Sequence, residues 1–218
     1  MNKNRPDTEA SASDALKETY EADLVAALGR AYINQDESVC DEEHLLIQVA
    51  LHDTSARIRY LAIEKLTDDA VLFRIAQHET NKNNRLEAIN KIQDEGLLLQ
   101  IYYRDTDWFV REEVVRKLTD QDTLYKIATT DSSWDVRQSA AEKLSNPGWL
   151  HKIAKKDPNW HVRDAAVGLI KDEAILREIA ENDRAWQVVE MAKARLKGQD
   201  PPPHDEDHPM AFLWEDKW

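Results

Sequence analysis

Acidic residues stand in one column at a constant spacing of twenty-six positions: Asp53, Glu79, Asp105, Asp131, Asp157 and Asp183. Six residues after each of the first five stands an arginine, at Arg59, Arg85, Arg111, Arg137 and Arg163. A period of this size means stacked copies of one supersecondary unit, each too small to bury its own apolar face and completed by its neighbours.

Apolar columns keep the same register. Ile58, Val110, Val136, Val162 and Val188 form one, and Ala62, Ala88, Val114, Ala140, Ala166 and Ala192 a second. Leu66, Ile92, Leu118, Leu144, Ile170 and Leu196 close the segment. Offsets of four along these columns describe one stripe of a helix. A second stripe follows in each repeat, carried by Leu72, Ile75 and Ala76 in the first and by Leu150, Ile153 and Ala154 in the fourth. Each repeat is therefore two short helices. Ser55, Asn81, Asp107, Ser133 and Asn159 precede the first, and Asp68, Asp94, Asp120, Asn146 and Asp172 the second. These side chains accept hydrogen bonds from the free N–H groups of a first helical turn. The pattern predicts helices near 56–66 and 69–78, recurring at the period. The fold class is all-α: an α-solenoid of two-helix repeats.

Segments such as Asp131-Ser-Ser-Trp134-Asp-Val136-Arg137-Gln-Ser-Ala140-Ala141-Glu-Lys-Leu144 resemble HEAT-type repeats, which carry an aspartate six residues before an arginine. The continuation Ser145-Asn146-Pro147-Gly-Trp-Leu150-His-Lys-Ile153-Ala154-Lys-Lys-Asp157 is similar to leucine-rich-repeat-variant units. The resemblance covers about residues 36–198. It implies that each arginine bonds the acidic column and loop carbonyls between successive repeats. It also implies an interaction scaffold, with enzymes such as DNA glycosylases, chromophore lyases and di-iron hydroxylases as exceptions. The di-iron type requires several His-Glu dipeptides, and the repeats hold only His78-Glu79.

Four regions follow from the pattern. Residues 1–12 are polar and are expected to be disordered, and 13–52 form capping helices with a degenerate first unit. Residues 53–198 are five full repeats and a terminal half repeat, in which Val189 stands where the arginine would be. Residues 199–218 are an acidic tail opened by Pro201-Pro202-Pro203. No stretch approaches the roughly 20 apolar residues that span a membrane, and no secretory apolar core follows the N-terminus, so a cytoplasmic location is expected. The single cysteine, Cys40, excludes an internal disulfide and any multi-cysteine metal site, and is read as a buried thiol.

The net charge of −13 sits at the ends. Residues 1–52 hold 4 basic and 11 acidic side chains and residues 199–218 hold 1 and 6, which leaves the repeats at −1. The two helices of a repeat differ in surface chemistry. The outward columns of the first include Glu64, Glu87, Glu112, Glu113, Glu142, Asp164 and Glu190. Those of the second carry Phe73, Arg74, Tyr103, Tyr125, Lys126, His151, Lys152 and Lys155, with Lys156 beside them. Aromatic contact area interleaved with cations suits an extended acidic peptide, so these eight residues are the candidate binding site.

Trp108, Trp134, Trp160 and Trp186 open the first helices and are read as covers for the joints between repeats, with Trp149 a local staple against its neighbour. No glycine-rich phosphate loop and no nucleophile–base pair can be named, and His204-Asp-Glu-Asp-His208 reads as a solvated acidic stretch, not a metal site. Near-neutral repeats between acidic flanks argue against nucleic acid. The expected function is a non-enzymatic scaffold, without a cofactor, for another protein or an acidic peptide. The chain's own tail, with Phe212, Leu213 and Trp214 set among acids, is one such peptide. A HEAT-like enzyme or nucleic-acid binder is the alternative.

Overall fold

The computed structural model describes residues 19, 22–30 and 42–199, all but the connecting loops helical, and among them no strand occurs. The segment 1–12, Cys40 and the tail beyond Gln199 lie outside the described residues. The chain divides into two compact units, Met1–Arg104 and Asp105–Trp218, with the boundary at a repeat junction.

The N-terminal unit contains a helical stretch at 22–30, then α1 (Glu42–His52), α2 (Ala56–Lys65), α3 (Asp69–His78), α4 (Lys82–Lys91) and α5 (Glu95–Arg104). The C-terminal unit contains α6 (Trp108–Lys117), α7 (Gln121–Thr130), α8 (Trp134–Ala141), α9 (Pro147–Lys156), α10 (Trp160–Leu169), α11 (Glu173–Asn182) and α12 (Trp186–Lys197). The cap columns set these starts. Asp68 accepts from the N–H of Val71 at 2.8 Å, Asp120 from that of Thr123 at 2.8 Å, and Asn146 from those of Gly148 and Trp149. Ser133 departs from the pattern, because its hydroxyl donates to Asp135 at 3.0 Å and leaves the first turn of α8 without a side-chain cap. Gly198 ends α12 at φ 64°, the left-handed conformation that a residue without Cβ adopts at least cost.

Helices pack in two layers in each unit. The closest neighbours are not the two helices of one repeat but the second helix of one with the first of the next: α3 with α4, α7 with α8, α9 with α10 and α11 with α12. These pairs straddle the loop that carries the acid. First helices also pack tightly on one another, α2 on α4 and α6, α8, α10 and α12 in succession, because their facing column is Ala62, Ala88, Val114, Ala140, Ala166 and Ala192, all fully buried. In the C-terminal unit the second helices touch much less, α7 with α9 and α9 with α11, so the layer they form there is the more open one. Behind both layers Ile63, Leu66, Leu72 and Ile75 in one unit and Val114, Leu118, Leu124 and Ile127 in the other are sealed from solvent, at about 1.5–3 kcal/mol of stabilisation per side chain.

The arginine column does what the resemblance implies wherever both partners lie in one unit. Arg137 donates Nε and Nη2 to Asp157 at 2.7 and 2.9 Å, while its Nη1 donates to the carbonyl of Asp131 at 2.9 Å. Arg59 grips Glu79, Arg111 grips Asp131 and Arg163 grips Asp183 in the same two-pronged way. Each of these acids also accepts from the N–H two residues on, as Asp131 does from Ser133 at 2.8 Å, so the carboxylate shapes its own loop as well as receiving the fork. No arginine stands one period before Arg59. Arg30, from the helical stretch 22–30, reaches Asp53 at 3.3 Å in its place.

One expectation needs correction. Asp164 faces inward, only 7 % exposed, and is not part of the acidic outer surface. Asn84 occupies the isoleucine/valine column yet is buried, because its amide donates to the carbonyl of Ala56 at 2.7 Å and to Glu79 at 3.1 Å. The tryptophans divide. Trp134 stacks on His161 of the next repeat at 4.5 Å, a joint cover as expected, and His161 stacks in turn on Trp160. Trp108 and Trp134 nevertheless stay 43 % and 37 % exposed. Among the described residues no helix is long and apolar enough to cross a membrane.

A candidate peptide-binding groove

The structure sorts the eight candidate residues into two sets. Phe73, Arg74 and Tyr103 belong to the N-terminal unit. Phe73 is half-buried on α3, Arg74 is exposed beside it, and Tyr103 on α5 is 61 % exposed, with its ring edge-on to the buried Tyr102 at 5.1 Å. None of the three lines the described cleft of that unit, which forms around the Arg59–Glu79 pair.

Tyr125, Lys126, His151, Lys152 and Lys155 belong to the C-terminal unit, on α7 and α9. These are neighbours in the loosely packed second-helix layer, and between them opens a groove of about 550 Å³. Tyr125, Thr129 and Ala128 of α7 line it on one side, and Lys152, Ile153 and Lys156 of α9 on the other, with Arg137 and Asp157 among its walls. Tyr125 is held in place by Trp149, stacked on it at 4.6 Å and 14° between planes. Trp149 is thus a staple against the preceding repeat. Thr129 donates its hydroxyl to the carbonyl of Tyr125 at 2.9 Å, so towards a ligand that oxygen can serve only as an acceptor.

The charges of the groove are unequal in consequence. Asp131 and Asp157 are occupied by Arg111 and Arg137, and the hydrogen bonds to Asp157 hold the Arg137 guanidinium above its ordinary pKa despite burial. That cation is neutralised where it stands. Lys152 and Lys156 are exposed on α9 and make no ion pair among the described residues, which leaves the rim with net positive charge.

Lys155 and His151 point elsewhere. Lys155 donates to Glu178 of α11 at 2.6 Å, and Nε2 of His151 lies 3.6 Å from the same carboxylate. The hydrogen bond and charge of Lys155 hold Glu178 below the usual carboxylate range. Lys126 is exposed on α7 outside the groove lining. Of the five, Tyr125 and Lys152 are brought together at the groove. Lys156, Thr129 and Pro158 are lining residues that the candidate set omits. Lys156 stands four residues after Lys152, one turn along the same helical face, and that spacing was the available signal.

A second groove, of about 440 Å³, lies in the first-helix layer between α6 and α8, with Glu112, Arg116, Trp134, Asp135, Glu142 and Lys143 among its walls. Arg116 bridges Glu112 and Glu113 there at 2.8 and 2.7 Å, and Ser139 donates to Glu112 across the helices at 3.0 Å. Its charges are largely self-compensated. Among the described residues no group of three or more His, Cys, Asp or Glu side chains is placed to hold a metal ion, and His204 and His208 lie outside them. Comparison with models of known families, with curated proteins and with solved structures finds no match to the chain.

Proposed function

We propose that this protein is a non-enzymatic binding scaffold whose C-terminal unit takes an extended acidic peptide, bearing aromatic side chains, in the groove between α7 and α9. The observation that carries the reading is the combination at that groove: a rigid Tyr125–Trp149 stack beside Lys152 and Lys156, with every carboxylate of the lining already engaged by an arginine. An aromatic wall supplies contact area at small entropic cost, and two solvated ammonium groups steer an anion towards it. The HEAT-like character of the repeats belongs to the same proposal. The net charge of −12 on the two flanks opposes a polyanion such as duplex DNA, which must displace its counterions along a long track.

The lysines to reverse are those that the groove presents. Lys155→Glu would set two carboxylates against each other at Glu178 and confuse a packing effect with a binding effect. Lys152→Glu/Lys156→Glu changes the rim by four charges without touching an ion pair of the fold, so melting should be little affected. Affinity for a labelled synthetic peptide of Asp and Glu with interspersed Phe and Trp is expected to fall at least about tenfold at low salt. A duplex oligonucleotide is expected to give no shift under the same conditions. Equal affinity of the wild type and the double variant for the peptide would remove the groove from the proposal, and tighter binding of the duplex would replace the peptide by nucleic acid.

A further inference from the structure

We infer that residues 204–218 of this same chain are a ligand of the α7–α9 groove, bound in cis. The inference rests on the acidic-peptide reading of that groove and names its first occupant.

The chain supplies the chemistry the groove selects. Residues 200–218 carry 6 acidic side chains, Asp200 among them, and 1 lysine, and within them stand the apolar Met210, Phe212, Leu213 and Trp214, with Glu215 and Asp216 directly after. A segment that served only to solvate the protein would have no physical reason to carry those apolar residues. Gly198 stands one full period after Asp172, in the column that caps a second helix, yet Pro201-Pro202-Pro203 follows where a helical stripe would begin. Pro202 stands where the period calls for the leucine of a second helix, so that pattern is broken there, while Phe212 and Trp214 fall one period after Trp186 and Val188.

Geometry permits the contact. The described chain leaves the C-cap of α12 at Gln199, within the same unit as the groove. Thirteen residue steps lead from Gln199 to Phe212, enough to reach about 40 Å at roughly 3.3 Å per residue. The groove lies about 10–20 Å from α11 at the usual interaxial spacing, and its lining at the C-terminal ends of α7 and α9 adds about 15 Å, one ten-residue helix length, between it and the C-cap of α12. On α11, Glu173 is paired with Arg177 at 2.6 Å and Glu178 with Lys155 at 2.6 Å. A tethered segment meets its own surface at an effective concentration near millimolar, so a modest intrinsic affinity fills the site.

The test uses the full chain and a labelled peptide of residues 204–218 added in trans. Three proteins are compared: the wild type, a tail variant Phe212→Ser/Leu213→Ser/Trp214→Ser, and that tail variant carrying Lys152→Glu/Lys156→Glu. The peptide is expected to bind the tail variant about fivefold or more tighter than the wild type, whose own tail competes, and to lose binding when the lysines are reversed. Equal affinity for the wild type and the tail variant would overturn occupation in cis. No binding to the tail variant would overturn the tail as a ligand. Binding that survives the lysine reversal would place the tail elsewhere, for instance over the apolar end of α12. In each of these cases the acidic-peptide reading is judged separately, by the unrelated peptide used for it.

Discussion

Replacing Arg137 by alanine is expected to lower the stability of the C-terminal unit by about 3 kcal/mol, the largest effect expected of any single polar substitution there. The arginine makes four hydrogen bonds, two to Asp157 and two to the carbonyls of Asp131 and Ser132. The Asp157 side chain is only 6 % exposed, so removing its cation leaves a buried carboxylate uncompensated, which costs far more than the net worth of the pair. Arg137→Lys is expected to recover less than half of the loss, since an ammonium cannot reproduce the fork. Urea unfolding measures both. Wild-type stability in Arg137→Ala, accompanied by loss of peptide binding, would make the column functional rather than structural.

Acid should release the N-terminal unit through Glu79. Burial alone would raise this carboxyl, but hydrogen bonds from Arg59, the Asn81 N–H and the Asn84 amide, together with the charge of Arg59, outweigh it and bring the pKa to about 2. The folded-state value lies below the ordinary value of 4.5, so the folded protein favours the carboxylate. Its contribution is present in full above pH 4.5 and is lost as the pH falls towards 2, amounting to on the order of 3 kcal/mol. Stability measured from pH 6 to pH 2 should therefore decline less in Glu79→Gln than in the wild type. Parallel curves for the two proteins would show that Glu79 does not carry this acid sensitivity.

The parts of the fold that could be read from the chain are those fixed by local chemistry at a constant interval. The caps at Asp68, Asp120 and Asn146 placed α3, α7 and α9 to within a residue, because an N-cap acts within its own turn. The arginine columns could be read for the same reason, as the partner stands at a fixed offset. Positions that depend on which side chain a neighbour lends could not. Arg30 serves Asp53 from outside the period, Asn84 enters the core because Glu79 and Ala56 offer it partners, and Asp164 turns inward. The candidate site suffered similarly. Lys152 and Lys155 look alike in sequence, but α11 brings Glu178 to Lys155 alone, and pairing between layers of the stack has no signature along the chain.

From Asp131 onward, each acid of the column receives the same fork from the repeat before it and shapes the same loop for the repeat it opens. The repeats are therefore interchangeable parts with standard couplings. Excising Asp131–Lys156 would hand the Arg111 fork directly to Asp157 and rejoin α7 to α10 through a loop of the same length and chemistry. A chain shortened in this way is expected to unfold cooperatively in urea, whereas removal of a stretch a few residues short of the full period is expected to yield no cooperative transition. Growth and loss of this protein over evolutionary time are thereby quantised. Its length can change by a whole period at small cost, and by almost no other step, so its reach would be set by counting modules and not by adjusting loops.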